Sequence, residues 1–456
     1  MPAPDILATV DGQLRGRSAA GADPLLRNGY LLAVTAALTA ALGVTYWALA
    51  ARLSSPVAVG QASAVITALT LIANVAGLNL VGSFGYLLPR LGNAARRFTG
   101  RAYLLTAGLG AVLGLAVLGV VAALGDTPLS FLTDSPLLAV AFAVSAPLFV
   151  LFTSQDGVLV AYRRAGWVLV ENATFAGGKL VALVALIALG VPHGISYSWL
   201  ALIAVVVPVV TVLIFTRVLP RRGDSEQPSA ELTARRMRGF VALQHAGSLV
   251  GQLMMNLLPL VVLAMLGSTA NGLFYVPWTI AITTDLVSHS MGASLTVEGA
   301  RNPEDLGRHV RAVARRLVVI LGVGAAIGLA VTPLVLDVYG PEYARGGTLL
   351  LRLLIGGALL RAVVVVTQSA ARAYGRTVLN LASESATCIL VLAMSVLLLP
   401  HLGIAAVGWA WLIGNALVAA GCLPALRAMT SGGRGRHAAL PAHLTTAAGV
   451  PARREG

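Results

Sequence analysis

The sequence predicts an all-α integral membrane protein of about twelve transmembrane helices, in two six-helix lobes around a central cavity, with both termini in the cytoplasm. Three observations carry this expectation: apolar runs of bilayer length, the placement of the arginines, and an internal repeat. Hydrophobic residues make up 57% of the 456 and charged residues 11%, with a mean hydropathy of +0.84. A soluble domain carries about 25% charged residues, so this chain cannot cover a water-facing surface. Its solvent is mostly lipid.

About 20 apolar residues span a bilayer as a helix. Runs of that order cover 30–51, 57–80, 102–124, 136–160, 167–189 and 195–216 in the first half of the chain. The second half supplies 239–266, 273–297, 317–336, 348–371, 378–399 and 402–426. Polar segments bound them: a cytoplasmic tail over 1–28, a charged linker over 217–238 and a basic tail over 428–456. The lobes are accordingly expected at 29–216 and 239–427. The first apolar run is too long for the core of a signal peptide.

The net charge is +14. A basic chain can mean nucleic acid, but here the cations lie in short runs between spans. Cytoplasmic connections of membrane proteins collect Lys and Arg. With the N-terminus inside, 27 of the 32 basic residues fall on the cytoplasmic side. Only Arg52 and Arg345 lie outside, and only Lys179, Arg352 and Arg361 lie within spans. One span more or fewer would invert this alternation. No nucleic-acid partner is expected, and the membrane is read as the plasma (inner) membrane of a bacterium.

The repeat is visible in spans three and nine. Gly108-Leu-Gly-Ala-Val-Leu-Gly-Leu-Ala-Val117 and Gly322-Val-Gly-Ala-Ala-Ile-Gly-Leu-Ala-Val331 agree at seven of ten positions, 214 residues apart. Gly60 and Gly272 open spans two and eight at nearly the same offset. An even number of spans per half makes such repeats parallel, with a site expected between them near the midplane.

A charge inside the bilayer is costly and is a functional candidate by default. Lys179, Asp285 and Arg361 sit near span midpoints, and Lys179 is the only lysine in the chain. The functional reading is a polar cavity in which Lys179 and Arg361 attract an anionic group. The bland one is an interhelical bridge, which for Lys179 would use Glu171 on the same helix. Arg352 is about 180° from Arg361 around the helix and nearer the outer end, where it can reach the headgroups. Asp285 and His289, at i and i+4, form the candidate ion-coupling pair. Asp156, Glu171 and Glu384 lie close in sequence to Arg163, Arg164 and Arg376, which favours structural pairing. Two polar stripes support a wet interior: Ser63, Thr67, Thr70 and Asn74 in span two, and His245, Gln252 and Asn256 in span seven. Asn74, His245, Gln252 and Asn256 therefore join Lys179 and Arg361 as candidate cavity residues.

Other chemistries lack their signatures. Cys388 and Cys422 fall inside apolar helices, with no metal-ligand spacing. Gly108-x-Gly-x-x-x-Gly114 lies within an apolar span and lacks the strand and Lys-Ser/Thr of a nucleotide loop, so it reads as helix packing. No cofactor or metal is expected.

Short motifs carry a family resemblance. Leu53-Ser-Ser-Pro-Val-Ala-Val-Gly-Gln61, Gly85-Tyr-Leu-Leu-Pro-Arg90 and Val338-Tyr-Gly-Pro-Glu-Tyr343 resemble the polysaccharide-biosynthesis, O-antigen flippase-like branch of the multidrug/oligosaccharidyl-lipid/polysaccharide (MOP) exporter superfamily. The resemblance implies alternating access and a lipid-linked glycan as cargo, with a proton or sodium gradient as the drive. It implies no enzyme activity. An ion-coupled multidrug (MATE-like) antiporter is the alternative within transport. A membrane-bound glycan transferase is the further one, set against by outer connections of only about eleven residues.

Overall fold

The structure, a computed structural model, describes residues 35–430 other than 37, 79, 126, 221–233, 302–305 and 374–376; side chains are described outside 234–248, 284–287, 289–309 and scattered single positions. Among the described residues every regular element is a helix. The first half of the chain forms α1 (Leu38–Leu53), α2 (Pro56–Ala76), α3 (Leu80–Leu91), α4 (Ala95–Leu124), the single turn α5 (Phe131–Asp134), α6 (Pro136–Ala161), α7 (Ala165–Ala188) and α8 (Gly194–Leu213). The second half forms α9 (Ala234–Arg301), α10 (Leu306–Asp337), α11 (Pro341–Ala373), α12 (Thr377–Leu402) and α13 (Ala405–Thr430).

Local chemistry explains the helix starts. Ser55 and Ser135 cap α2 and α6 by accepting from the amides of Ala58 and Leu138, and Pro56 and Pro136 follow at the first helical position. Proline there loses no internal hydrogen bond. Helix α9 is two spans in one rod. It breaks at Gly267, whose φ of 81° and ψ of −179° belong to a region almost closed to residues with a Cβ. Ten helical stretches are long and apolar enough to cross a membrane, one of which, Leu249–Thr283, contains that break. Counting it as two and adding the shorter apolar α1 gives the twelve spans predicted.

The helices exceed the predicted spans on the arginine-rich side. Span two was expected to run to residue 80, but α2 stops at Ala76, and the chain turns through Leu78 at a φ of 51° into the separate helix α3. Leu80, Phe84, Leu87, Leu88 and Leu91 are all buried, the spacing of one apolar helix face. Helix α4 begins seven residues before the predicted 102 and α10 eleven before 317, taking in Arg96, Arg97, Arg308 and Arg311. Arginine is a good helix former, so the backbone stays helical past the lipid.

Neighbours repeat between the halves. In the first, α4 packs on α6, α6 on α8, α7 on α8 and α2 on α6; in the second, α10 packs on α11, α11 on α13, α12 on α13 and α9 on α11. The repeated glycines repeat their role in part. In α4, a Cβ at Gly110 would lie 2.7 Å from Val150 and one at Gly114 2.7 Å from Ala146, so these glycines let α4 close on α6. In α10, Gly324, the counterpart of Gly110, faces open space, whereas a Cβ at Gly328, the counterpart of Gly114, would lie 3.2 Å from Ile355 of α11. Among the described residues the two halves meet mainly through α2 and α9, with α3 against α9 as a lesser contact.

Candidate functional site

The contact between halves is tightest on the arginine-poor side, where α2 starts and α9 breaks. A Cβ on Gly60 would be driven into the carbonyl of Ser268, and one on Gly272 into that of Pro56. These are the two glycines that opened equivalent spans in the repeat; here they face one another, backbone on backbone. Asn271, fully buried, donates from Nδ2 to the Gly60 carbonyl and to Ser63 Oγ, both at 3.0 Å. Trp47 meets Tyr275 edge-on at 4.8 Å between centroids. On the same side, Arg52 donates from Nε to the Val338 carbonyl at 2.8 Å and from Nη2 to the Asp337 carbonyl. Those carbonyls end α10, where the helix dipole is negative. One of the two basic residues that the sequence places outside is thus a cross-half latch.

Lys179 lies in α7 and is 6% exposed. Its Nζ sits 3.8 Å from the Trp199 ring centroid, 5.0 Å from Tyr46 and 5.3 Å from Phe175. The Tyr46 hydroxyl is held by Ser198 Oγ at 2.8 Å and the Ile195 carbonyl at 3.0 Å, which fixes that wall of the box. Desolvated cation–π contacts contribute about 2 kcal/mol. Among the described residues Lys179 has no ion pair, and Glu171 does not bridge to it. The structure therefore places the lysine inside the first half, in an aromatic box.

Arg361 is 1% exposed in α11. Its Nη2 bonds Glu384 Oε1 of α12 at 3.0 Å, and its guanidinium lies 5.9 Å from the Trp411 ring of α13. Gln368 Nε2 donates to the other carboxylate oxygen at 2.7 Å and to Ser383 Oγ at 3.1 Å. Glu384 thus pairs with Arg361, 23 residues away, whereas Arg376 lies outside the described residues. This network ties three helices of the second half together.

Asp156 of α6 and Glu171 of α7 have no cation partner among the described residues. Asp156 accepts from Asn172 Nδ2 at 3.2 and 3.4 Å. Glu171 is 3% exposed and neither of its oxygens has a partner. Arg163 and Arg164, the partners expected from sequence, are exposed.

The stripe on α2 divides. Ser63 is buried in the seam beside Asn271, and Thr67 is buried on the same side of the helix. Thr70 and Asn74, further along, are only half-buried. On α9, Gln252 is exposed, and Asn256 is half-buried with its amide donating to the Gln252 carbonyl at 2.7 Å. Arg352 is exposed. The side chains of His245, Asp285 and His289 lie outside the described residues, although their backbones belong to α9.

No family model matches this chain, and no curated protein matches it. Solved structures do. The chain is similar to the inward-facing conformation of a multidrug resistance MATE family transporter of the MOP superfamily, with a TM-score of 0.64 and 16% identity over 84% of this chain and 95% of that one. The outward-facing conformation of a multidrug resistance MATE family transporter matches with a TM-score of 0.56 and 18% identity, over 90% of this chain and 96% of that one. This chain has a MATE-like transporter fold. A MOP superfamily transporter from Pyrococcus furiosus, described as having a binding pocket of reverse polarity, matches with a TM-score of 0.56 and 16% identity over 90% of this chain and 95% of that one. These neighbours belong to the superfamily that the sequence motifs resemble. The O-antigen flippase-like branch finds no specific support in these MATE-like neighbours.

Sequence reasoning missed Tyr46, Trp199, Asn271 and Gln368. Asn271 carried a signal, since an amide beside the span-opening Gly272 needs a partner in lipid. Nothing in the sequence marks Tyr46 and Trp199 as neighbours of Lys179.

Proposed function

We propose that this protein is an alternating-access membrane transporter whose two lobes, 29–216 and 239–427, rock about the α2–α9 contact, with the linker and both tails in the cytoplasm. One observation carries this reading. The halves close on each other at the start of α2 and at the break in α9, while further along α9 the Gln252 side chain is exposed and Asn256 half-buried. Asn74 lies about 20 Å along α2 from Gly60, and Gln252 about 20 Å along α9 from Gly267, at 1.5 Å per residue. An exposed glutamine within a span is tolerated where it faces a water-filled cavity. That pattern is a cavity between the halves, closed on the arginine-poor side and open to the arginine-rich one.

The cargo follows from fold and lining together. Ion-coupled export of organic solutes, in the manner of the multidrug neighbours, fits the fold best. The cavity candidates Asn74, Gln252 and Asn256 are neutral amides, whereas Lys179 and Arg361 are buried within the two halves. A second reading is a flippase of a lipid-linked oligosaccharide in the plasma membrane. It is favoured by those amides, which match sugar hydroxyls in hydrogen bonding.

Proteoliposomes separate the two. Under an imposed proton or sodium gradient, antiport moves a cationic dye, and Gln252→Leu reduces the movement. Flipping would move a fluorescent polyprenyl-diphosphate sugar and leave the dye alone. Failure to move either substrate under any gradient would overturn transport.

A further inference from the structure

Two arginines share a cavity on the arginine-rich side of the first half. Helix α7 starts on that side and its packing neighbour α8 ends there. Between these ends lies a cavity of about 210 Å³, walled by Arg164, Trp167, Arg217 and Val218. Local backbone geometry assembles the walls. The chain leaves α6 through Arg163 at a φ of 57°, and the Arg164 amide donates back to the Leu159 carbonyl at 2.8 Å. That reversal makes Arg164 the N-cap of α7, with half-buried Trp167 three residues on and on the same face. Helix α8 ends in a wider π-turn over Ile214–Val218, closed by the Leu219 amide on the Ile214 carbonyl at 3.0 Å. A π-turn departs from α-helical spacing, and this one carries both Arg217 and Val218 to the cavity.

The electrostatics of this place favour an anion. Arg164 stands at a helix N-terminus, where the dipole is positive and a cation is the wrong charge. Its side chain caps no amide of the first turn of α7. Arg217 adds a second positive charge across the same cavity. Among the described residues neither side chain has an ion pair or a hydrogen bond. Arg96 of α4 makes the contrast. It donates from Nη1 to the Phe215 carbonyl at 2.8 Å, and its guanidinium lies 5.8 Å from the Phe215 ring centroid. That arginine holds helices together, whereas Arg164 and Arg217 hold nothing of the chain.

We infer that Arg164, Arg217 and the first turn of α7 bind the phosphate of an anionic phospholipid, with Trp167 beside it at headgroup level. Guanidinium forks take phosphate oxygens in pairs, and the start of a helix supplies amides to an anion. Tryptophan settles at the membrane–water interface. The lipid-facing side of α8 favours a lipid over free phosphate. Val205, Val209 and Val212 are 62%, 55% and 60% exposed, at the spacing of one helix face. That stripe runs along α8 toward the turn that carries Arg217, so an acyl chain can lie on it while the headgroup fills the cavity. The inference rests on the membrane-spanning fold and is independent of the cargo.

The test titrates the full-length protein in detergent with dioleoyl phosphatidylglycerol, dioleoyl phosphatidylcholine or sodium phosphate. Native mass spectrometry counts bound lipid, and the thermal midpoint is read beside it. The expected result is phosphatidylglycerol retained where phosphatidylcholine is lost, with a raised midpoint. Arg164→Gln and Arg217→Gln should each raise the phosphatidylglycerol concentration for half occupancy about ten-fold. Arg97→Gln, at an exposed arginine on α4 outside the cavity, should leave it unchanged. The lipid contrast in the wild type needs no variant to fold. An equal midpoint rise with sodium phosphate alone would make this a site for the free anion and overturn the lipid. Equal retention of phosphatidylcholine, or undiminished phosphatidylglycerol binding in the folded double variant, would overturn the site.

Discussion

A methyl group at Gly60 should open the arginine-poor seam. The Cβ of Gly60→Ala would collide with the Ser268 carbonyl and lie 2.9 Å from the Gly272 amide nitrogen. Both obstacles are backbone, so the collision is relieved only by moving α2 away from α9. Overpacking of this kind costs about 1–3 kcal/mol. Separation also breaks the Asn271 bonds to Gly60 and Ser63, each contributing about 1 kcal/mol. These contacts exist only while the halves are closed on this side. The cost therefore falls on one conformation, and about 2 kcal/mol moves the ratio of closed to open molecules roughly 30-fold. Spin labels at Leu53→Cys and Val338→Cys, both exposed positions flanking the Arg52 latch, read the separation directly. Cys388 and Cys422 are first replaced by alanine. Gly421→Ala, which meets nothing within 4 Å, is the control. A label distance in Gly60→Ala equal to that of the control would refute the seam as the closed gate.

Arg52→Ala should loosen the same gate by about 1 kcal/mol, since bonds from a charged donor contribute about 1.5–3 kcal/mol and exposure weakens them; the same label pair would show a several-fold larger open population. Lys179→Met should leave thermal stability equal or higher, because the box holds an ammonium without a counter-charge, whereas Trp199→Ala should cost about 3–5 kcal/mol through its cavity. Denaturation in detergent compares the two, and a strongly destabilised Lys179→Met would mean that the ring contacts outweigh the cost of burying the ammonium. Arg361→Met and Glu384→Gln should each destabilise by about 3–5 kcal/mol by stranding a buried charge, with the double variant less affected than their sum. Additive losses in that cycle would mean that the pair acts separately.

Much of the architecture was legible because lipid imposes so few solutions. Apolar length and arginine placement gave twelve spans, and the helices match that count while several run past the expected ends. Helix α3 was legible in principle, through Leu80, Phe84, Leu87, Leu88 and Leu91, but it lay next to a span whose hydropathy masked it. The partners of the buried charges were not legible. Proximity in sequence offered Arg376 to Glu384 and Glu171 to Lys179. Folding instead brought Arg361 to Glu384 from 23 residues away, and Tyr46 to the helix beside Lys179 from the other end of the lobe. Ser63 and Asn74 share one stripe, yet one is sealed in the seam and the other is half-buried.

The sequence by itself determined that the chain lives in lipid, how many times it crosses, and that Gly60 and Gly272 hold equivalent places in a repeat. These follow from hydropathy and periodicity, which are properties of a segment and its solvent. Only the tertiary structure decided that the two glycines meet, that Arg52 latches the far half, and that Glu171 is buried with no cation partner among the described residues. Those depend on which helix faces which, and that is settled by packing between residues up to about 290 positions apart.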